Sequence, residues 1–356
     1  MNTEKQNKNI YSIRDIAQLS GVSIATLSRY FNGQSVRKAN QEKISAVLEK
    51  TNYRPNIAAR FMKGRSTGLI GLILPEITHP FFATITEGVI EEARKNKQLV
   101  LCGSSAGSLE VEKQVIDQFS QSILDGLIYI PIATAENIPA IENFRNLPLV
   151  VAGRKGILPG VTHVFHDGEK GGYLSTKYLL QLGRKRIGFI ASFWDPPCTN
   201  TELFNFMKKP ASRTFSSIDR FRGYIKALKE ANIPYSPDLV AVTGYTHESG
   251  INAATAFINR LTDCNGVIAM TQAVANGCAA HFKSQGYSVP EDISIILFDS
   301  HEKRTDYSYT NIELHLFKMG QESVKALNAQ IAGEKPQDLC LDVALCIHGS
   351  TTLLHK

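Results

Sequence analysis

The chain has 356 residues, 43% hydrophobic and 20% charged, which is the composition of a soluble globular protein too long for one ordinary core. No apolar run reaches the roughly 18 residues of a membrane span, and the polar start MNTEKQNKNIYS lacks the apolar stretch of a secretory signal. The net charge of +6 is unevenly spread: residues 1–66 hold twelve Lys or Arg against four acids, a net +8, and the other 290 sum to −2. A basic head on a near-neutral body is the electrostatic footprint of a polyanion-binding module.

The first element is SIRDIAQLS. Ile13, Ile16, Ala17 and Leu19 recur at helical spacing, with Ser12 as N-cap. SGVS breaks the helix: Gly21 supplies the turn and Ser23 caps the next helix, which ends at Asn32-Gly33. NQEKISAVLEKTN predicts a third, amphipathic helix with Ile44, Val47 and Leu48 inward. Three short helices with a tight Gly turn between the first two follow the helix-turn-helix plan, whose second helix enters the major groove. The small residues Ser23, Ala25 and Thr26 let that helix sit deep. Thr26 and Ser28 offer hydroxyls to phosphates, Ile24 an apolar surface to a thymine methyl, and Arg29 a fork that fits guanine O6 and N7.

YRPNIAARFMKGRST follows. Pro55 stops the preceding element, and Asn56 caps a short hinge helix running to about Lys63. Ala58 and Ala59 are small enough for two such helices to approach closely. Met62, apolar between the cations Arg60 and Lys63, suits a wedge into a minor-groove base step.

From Ser66 strand-like and helix-like segments alternate. GLIGLILP, QLVLCGSS, DGLIYIP and LPLVVAG are strands of a first series; THVFHD, RIGFIAS, DLVAVTG, NGVIAMT and DISIILFD belong to a second. Such alternation predicts parallel α/β sheets, here in two similar lobes, with a ligand at the carboxyl ends of the strands. Six cysteines, none in C-x-x-C, read as reduced thiols rather than a disulfide or zinc set.

The segment IRDIAQLSGVSIATLSRYFNG…QEKISAVLEKTNYRPNIAARFMKGRSTGLIGLILP resembles the head and hinge of LacI/GalR-family transcription regulators, without a gap, and the likeness continues more loosely to the C-terminus. The resemblance implies an N-terminal all-α helix-turn-helix domain with hinge helix over 1–66. It implies a periplasmic-binding-protein-like α/β body of two parallel-sheet lobes over 67–356, lobe one about 67–164 and 293–323, lobe two about 165–292 and 324–356. It implies DNA contacts by Ser12, Ser23, Ile24, Ala25, Thr26, Ser28, Arg29, Asn32, Tyr53, Asn56, Ala59, Met62 and Lys63. Met62 stands where the family has an intercalating leucine, and Tyr30 and Phe31, larger than the family's usual aliphatics, are expected on the third helix.

For the ligand it implies His79, Phe81, Phe82, Asp167, Phe193, Trp194, Arg220, Thr271 and Asp299, aromatics under a sugar ring and Asp and Arg on its hydroxyls. The implied partners are a palindromic operator duplex, a sugar or sugar phosphate and a second copy of the chain, with no cofactor and no enzyme activity, in the cytoplasm on the nucleoid. Thr271-Gln272 and Leu297 depart from the family pattern, and residues 193–217 form a longer connection, suited to a lid or binding loop. Those departures admit a phosphorylated carrier protein as corepressor in place of a small inducer. A sugar-binding transport protein is the rival of another class, opposed by the +8 head and the missing signal.

Three motifs look like chemistry and carry little. GSSAG, residues 103–107, matches a nucleophile elbow around Ser105, but the match is short and easily met by chance. His163 and His166, three apart on a strand, fall on opposite faces. GEKGG, residues 168–172, opens a helix but lacks the Lys-Ser/Thr of a P-loop.

Overall fold

A computed structural model describes residues 11–31, 34–54, 66–132, 147–194, 203–204, 215–260, 262–298 and 308–354. The chain divides into two compact units, Met1–Thr67 and Gly68–Lys356.

The first unit holds helices α1 (Ile13–Ser20), α2 (Ile24–Phe31) and α3 (Lys38–Thr51). Ser12 caps α1 in a capping box with Asp15, satisfying two backbone N–H groups that the helix start leaves open. Gly21 ends α1 in the left-handed region at φ 61°, which glycine enters without steric penalty. Ile16, Ala17, Leu27 and Ile44 form the core, flanked by Tyr30, Phe31, Val47 and Leu48. The Tyr30 hydroxyl lies 2.9 Å from that of Ser45 on α3. Leu19, expected inward by spacing, is instead 55% exposed. Ser20 takes the inward place, its hydroxyl donating to the Ile16 carbonyl at 2.6 Å, so the last turn buries a small residue whose polar group is satisfied within the helix.

The second unit has two six-stranded sheets. In chain order its elements are β1 (Leu69–Leu74), α4 (Pro80–Lys95), β2 (Leu99–Ser104), α5 (Leu109–Ser120), β3 (Gly126–Tyr129), β4 (Leu149–Ala152), β5 (Thr162–His166) and α6 (Gly168–Gln181). They continue with β6 (Ile187–Ser192), α7 (Ser216–Glu230), β7 (Val240–Thr243), α8 (His247–Asn259), β8 (Gly266–Ala269), α9 (Gln272–Ser284), β9 (Ser294–Phe298), β10 (Thr310–Glu313), α10 (Leu316–Ile331), β11 (Leu339–Leu341) and β12 (Ala344–Cys346). The first sheet runs β11-β5-β4-β3-β1-β2, the second β12-β10-β9-β8-β6-β7. All pairs are parallel except β10 with β12. The central strands are buried on both faces, as a parallel sheet between helix layers requires.

The sheets correct the expected lobe boundaries. β9 and β10, expected in lobe one, belong to the second sheet, while α10 packs on α4 of the first and β11 pairs with β5. The chain therefore crosses between lobes after His166, near His315 and near Asp342. Strand–helix alternation is the same in both sheets and does not say which sheet the next strand joins. Packing decides it. A Cβ on Gly320 would collide with the Ile85 carbonyl, and one on Gly88 with that of Phe317, so α10 and α4 meet backbone to backbone. Gly172 and Gly223 do the same for α6 and α7, and Gly250 and Gly277 for α8 and α9. In GEKGG, Gly168 and Gly172 thus serve the α6–α7 crossing, while Gly171 lies against Phe298 and Ile312 of the sheet.

Candidate functional site

Two surfaces concentrate the expected residues, one in each unit. On α2 only Leu27 is fully buried; Ser23, Ile24, Ala25 and Arg29 are exposed and Thr26 and Ser28 partly so. Residues 24, 25, 28 and 29 fall within one helical stripe, opposite the side that Leu27 inserts. Ser23 caps the helix by accepting from the Thr26 N–H at 3.1 Å, and its hydroxyl lies 2.9 Å from that of Thr26. Ser12 is engaged as the α1 cap, and Tyr53 packs against the three-helix core. Asn32, Asn56, Ala59, Met62 and Lys63 lie outside the described residues.

The second surface is a cleft between the two sheets of the body. It takes in about 730 Å³, its open mouth included, and its lining comes from both lobes. Of the expected ligand residues His79, Phe81, Phe82, Phe193, Trp194, Arg220 and Thr271 line it. Their placing follows from the fold: His79 follows β1 and caps α4, Phe193 and Trp194 follow β6, and Thr271 follows β8 and caps α9. Asp167 does not line it. Its carboxylate caps α6, accepting from the Lys170 N–H at 2.9 Å, so its position at a helix start sets its role. Asp299 lies outside the described residues, as does most of the long 193–217 connection. Of that connection Leu203 is fully buried and Phe204 stacks on Tyr235 at 5.5 Å.

Pattern reasoning missed Arg154, Phe215, Tyr245 and Met270, which also line the cleft. Arg154 and Met270 stand one or two residues past β4 and β8, the same strand-end signal that picked out Trp194. Tyr245 lies two residues past β7. Phe215 had no such signal, since it precedes a helix.

The wall is aromatic. The rings of Trp194 and Tyr245 are 5.0 Å apart, Phe82 is 5.9 Å from Trp194, and His79 is 6.0 Å from Trp194 and 6.1 Å from Tyr245. Gly107 makes room for this wall: a Cβ there would meet the Trp194 ring at 2.8 Å. The glycine that ends GSSAG therefore receives an aromatic from the other lobe. Ser105 of that motif is fully buried, which removes it from any substrate.

Two arginines reach the cleft. Arg154 lies 4.4 Å above the Phe215 ring, and burial lowers its guanidinium to about 10. Arg220 lies 3.9 Å above the Phe298 ring and donates to Met270 Sδ and His166 Nε2, each at 3.4 Å. A guanidinium only donates, so His166 accepts at Nε2 and carries its proton on Nδ1. Burial, with the Arg220 charge second, pushes His166 from 6.5 down to about 3, which keeps the ring neutral. His163 points elsewhere, its Nδ1 3.3 Å from Asp338. No group of metal-ligating side chains occurs among the described residues.

This geometry is matched by known proteins. Residues 12–56 match the family described as bacterial regulatory proteins, lacI family, and residues 67–346 the periplasmic binding proteins and sugar binding domain of the LacI family. The chain belongs to the LacI family. It is 30% identical over 333 residues to the HTH-type transcriptional repressor PurR of Pasteurella multocida, covering 92% of this chain and 93% of that one. It is 29% identical to the HTH-type transcriptional regulator RegA of Clostridium saccharobutylicum, covering 89% and 91%. The lac repressor dimer bound to operator and the anti-inducer ONPF superposes with a TM-score of 0.80 at 22% identity, over 96% of this chain and 99% of that one. As a LacI-family protein the chain is a DNA-binding regulator with a ligand-binding body. No helix among the described residues is long and apolar enough to cross a membrane.

Proposed function

We propose that this protein is a homodimeric repressor of a carbohydrate-use operon, acting in the cytoplasm on a palindromic operator, and that a sugar or sugar phosphate between the lobes changes its operator affinity. The observation that carries this reading is α2, which exposes Ser23 at its cap and Ile24, Ala25 and Arg29 along its length while Leu27, with Tyr30 and Phe31 beside it, ties it into the core. A helix so exposed has no packing reason for that set of side chains, and each suits a groove or phosphate contact. Met62, flanked by Arg60 and Lys63, is assigned the minor-groove wedge.

A palindrome needs two heads. β2 is the outer strand of its sheet, with Leu99 68% and Leu101 38% exposed. An apolar edge strand invites pairing, and a second copy of this chain is the occupant assigned to it. The similarly folded lac repressor binds its operator as a dimer, which supports two copies of this chain.

The test is fluorescence anisotropy of the full chain on a palindromic duplex from its own upstream region, titrated with neutral sugars and sugar phosphates. Preference over random duplex and release by one compound is the expected result. Release by none moves the ligand assignment to a phosphorylated carrier protein. No preference over random DNA, followed by failure of a random-library selection, overturns the operator reading.

A further inference from the structure

The chain crosses between the lobes three times, and the crossings share one side of each sheet. β5 and β11, at the crossings of the first lobe, are the outer two strands at one side of the order β11-β5-β4-β3-β1-β2. β10 and β12, their counterparts in the second, are the outer two at one side of β12-β10-β9-β8-β6-β7. The far sides end in β1 with β2 and in β6 with β7. Neighbouring strands lie about 4.8 Å apart, so β2 stands about 24 Å from β11 across the six-stranded sheet. Two lobes hinged at one side open at the other, and a contact near β2 and β6 has the longest lever.

Trp194 makes that contact. It follows β6, and its ring faces Gly107, which lies past the end of β2. A Cβ at Gly107 would lie 2.8 Å from Trp194 Cε3 and 3.3 Å from Cζ3, so only a glycine admits the ring this closely. The turn that carries Gly107 is pinned to the first lobe. Its N–H donates to the Pro75 carbonyl at 3.1 Å, Ser104 Oγ donates to the same oxygen at 3.1 Å, and the backbone is left-handed at Ala106 and Gly107, with φ 49° and 71°. Phe82, a core residue of the first lobe, and His79 flank the ring at 5.9 and 6.0 Å. Nearer the hinge, beside β4, the lobes touch through Ser216 Oγ, which donates to the Gly153 carbonyl at 3.3 Å, and through Phe215 under Arg154. A given rotation moves those contacts less.

We propose that Trp194 seated on Gly107 is a latch that holds the two lobes closed, with Gly107 as its positioning residue. A rotation of about 10° at the crossings moves an atom at the end of that lever by about 4 Å, which lifts the ring from its seat. The same ring lines the cleft, so one contact sets both the lobe separation and the shape of the wall. A compound that packs on Trp194 acts on the lobe equilibrium through the latch, by as much as it prefers one separation over the other. The latch itself needs neither ligand nor DNA. Its bearing on operator affinity rests on the reading above.

Trp194 is the chain's single tryptophan, so intrinsic fluorescence reports the seat directly. The full chain and its Gly107→Ala variant are compared by acrylamide quenching and by small-angle X-ray scattering. Gly107→Ala is expected to raise the quenching constant about twofold or more, as the ring loses one wall of its seat, and to enlarge the radius of gyration. Gly160→Ala is the control: Gly160 is left-handed at φ 79°, and a Cβ there meets nothing within 4 Å. It carries the same backbone strain without the collision and is expected to leave both readings unchanged. Trp194→Phe removes the ring that the new methyl strikes, so the Gly107→Ala/Trp194→Phe double variant is expected to scatter like Trp194→Phe alone. Unchanged quenching and scattering in a folded Gly107→Ala variant, the same changes in Gly160→Ala, or a double variant more expanded than Trp194→Phe would overturn the latch. Where Gly107→Ala does not fold, Trp194→Ala empties the seat from the other lobe, and expansion supports the latch while its absence overturns it. Operator anisotropy separates the latch from the reading beneath it. Opened lobes with unchanged selective operator binding end the link to regulation, and no operator selectivity in the unaltered chain ends that reading while the scattering still decides the latch.

Discussion

In the head, four buried apolar side chains carry the core, and the residues suited to recognition stand outside it on α2. In the body the order is reversed. The residues suited to recognition, Arg154, Arg220, Phe82 and Phe193, are themselves buried, and several are also core. The difference follows from the partner each surface fits. A duplex is larger than the head and must be met by a convex, exposed helix, whereas a small ring must be enclosed. It follows that recognition and stability are separable in the head and entangled in the body.

The sharpest way to break the comparison is at a helix crossing. Gly172→Ala drives a methyl into the Arg220 backbone, and overpacking of that kind costs about 1–3 kcal/mol or more where backbone cannot yield. The expected outcome is a lower melting temperature of the body together with loss of the ligand response, because the displaced backbone is that of a cleft arginine. A variant that melts lower and responds normally would show the two to be separable there after all.

Acid should divide the units next. All nine histidines lie beyond residue 66. His166 is held at about 3 in the folded chain against an ordinary 6.5, so protonation favours the unfolded state. Its contribution is fully present above 6.5 and is lost progressively as pH falls from 6.5 towards 3. The body's denaturant midpoint should fall over that window, and His166→Gln should flatten the fall. A head excised or monitored separately should not share it.

Leu27→Ala should remove about 2–5 kcal/mol, the range for emptying a fully buried leucine site, enough to unfold so small a core. Circular dichroism and operator anisotropy should show the head lost, with the Trp194 signal of the body unchanged. Arg29→Ala should leave the melting curve alone and lower operator discrimination by about 1–3 kcal/mol. An equal loss on random duplex would make it a phosphate contact. Ser12→Ala, which removes the α1 cap, should cost the head about 1 kcal/mol, read as a shift in its denaturant midpoint.

What could be read from sequence shows the same division. In the described part of the head the three helices were legible, because their determinants are local: a cap at Ser12, a glycine turn at Gly21, helical spacing of Ile16, Ala17, Leu27 and Ile44. Leu19 and Ser20 exchanged places because a one-residue shift at a helix end depends on how the turn packs. In the body the strand ends pointed to Trp194, Phe193, Thr271 and His79, all of which line the cleft. The same rule applied to the fourth strand would have found Arg154. Asp167 misled because an acid at a helix start satisfies either a ligand or the helix itself, and only coordinates distinguish them.

The sequence by itself determined the helix-turn-helix head, the alternation that makes two α/β lobes, the basic charge of the first 66 residues and the family. These depend on residue type and short-range spacing. Tertiary structure alone decided which lobe owns β9, β10 and α10, why Gly107 faces Trp194, and that two arginines far apart in the chain reach one cleft. The physical reason is that sheet membership and side-chain convergence are set by long-range packing, where paired glycines let helix backbones touch, and no local pattern encodes which partner they touch.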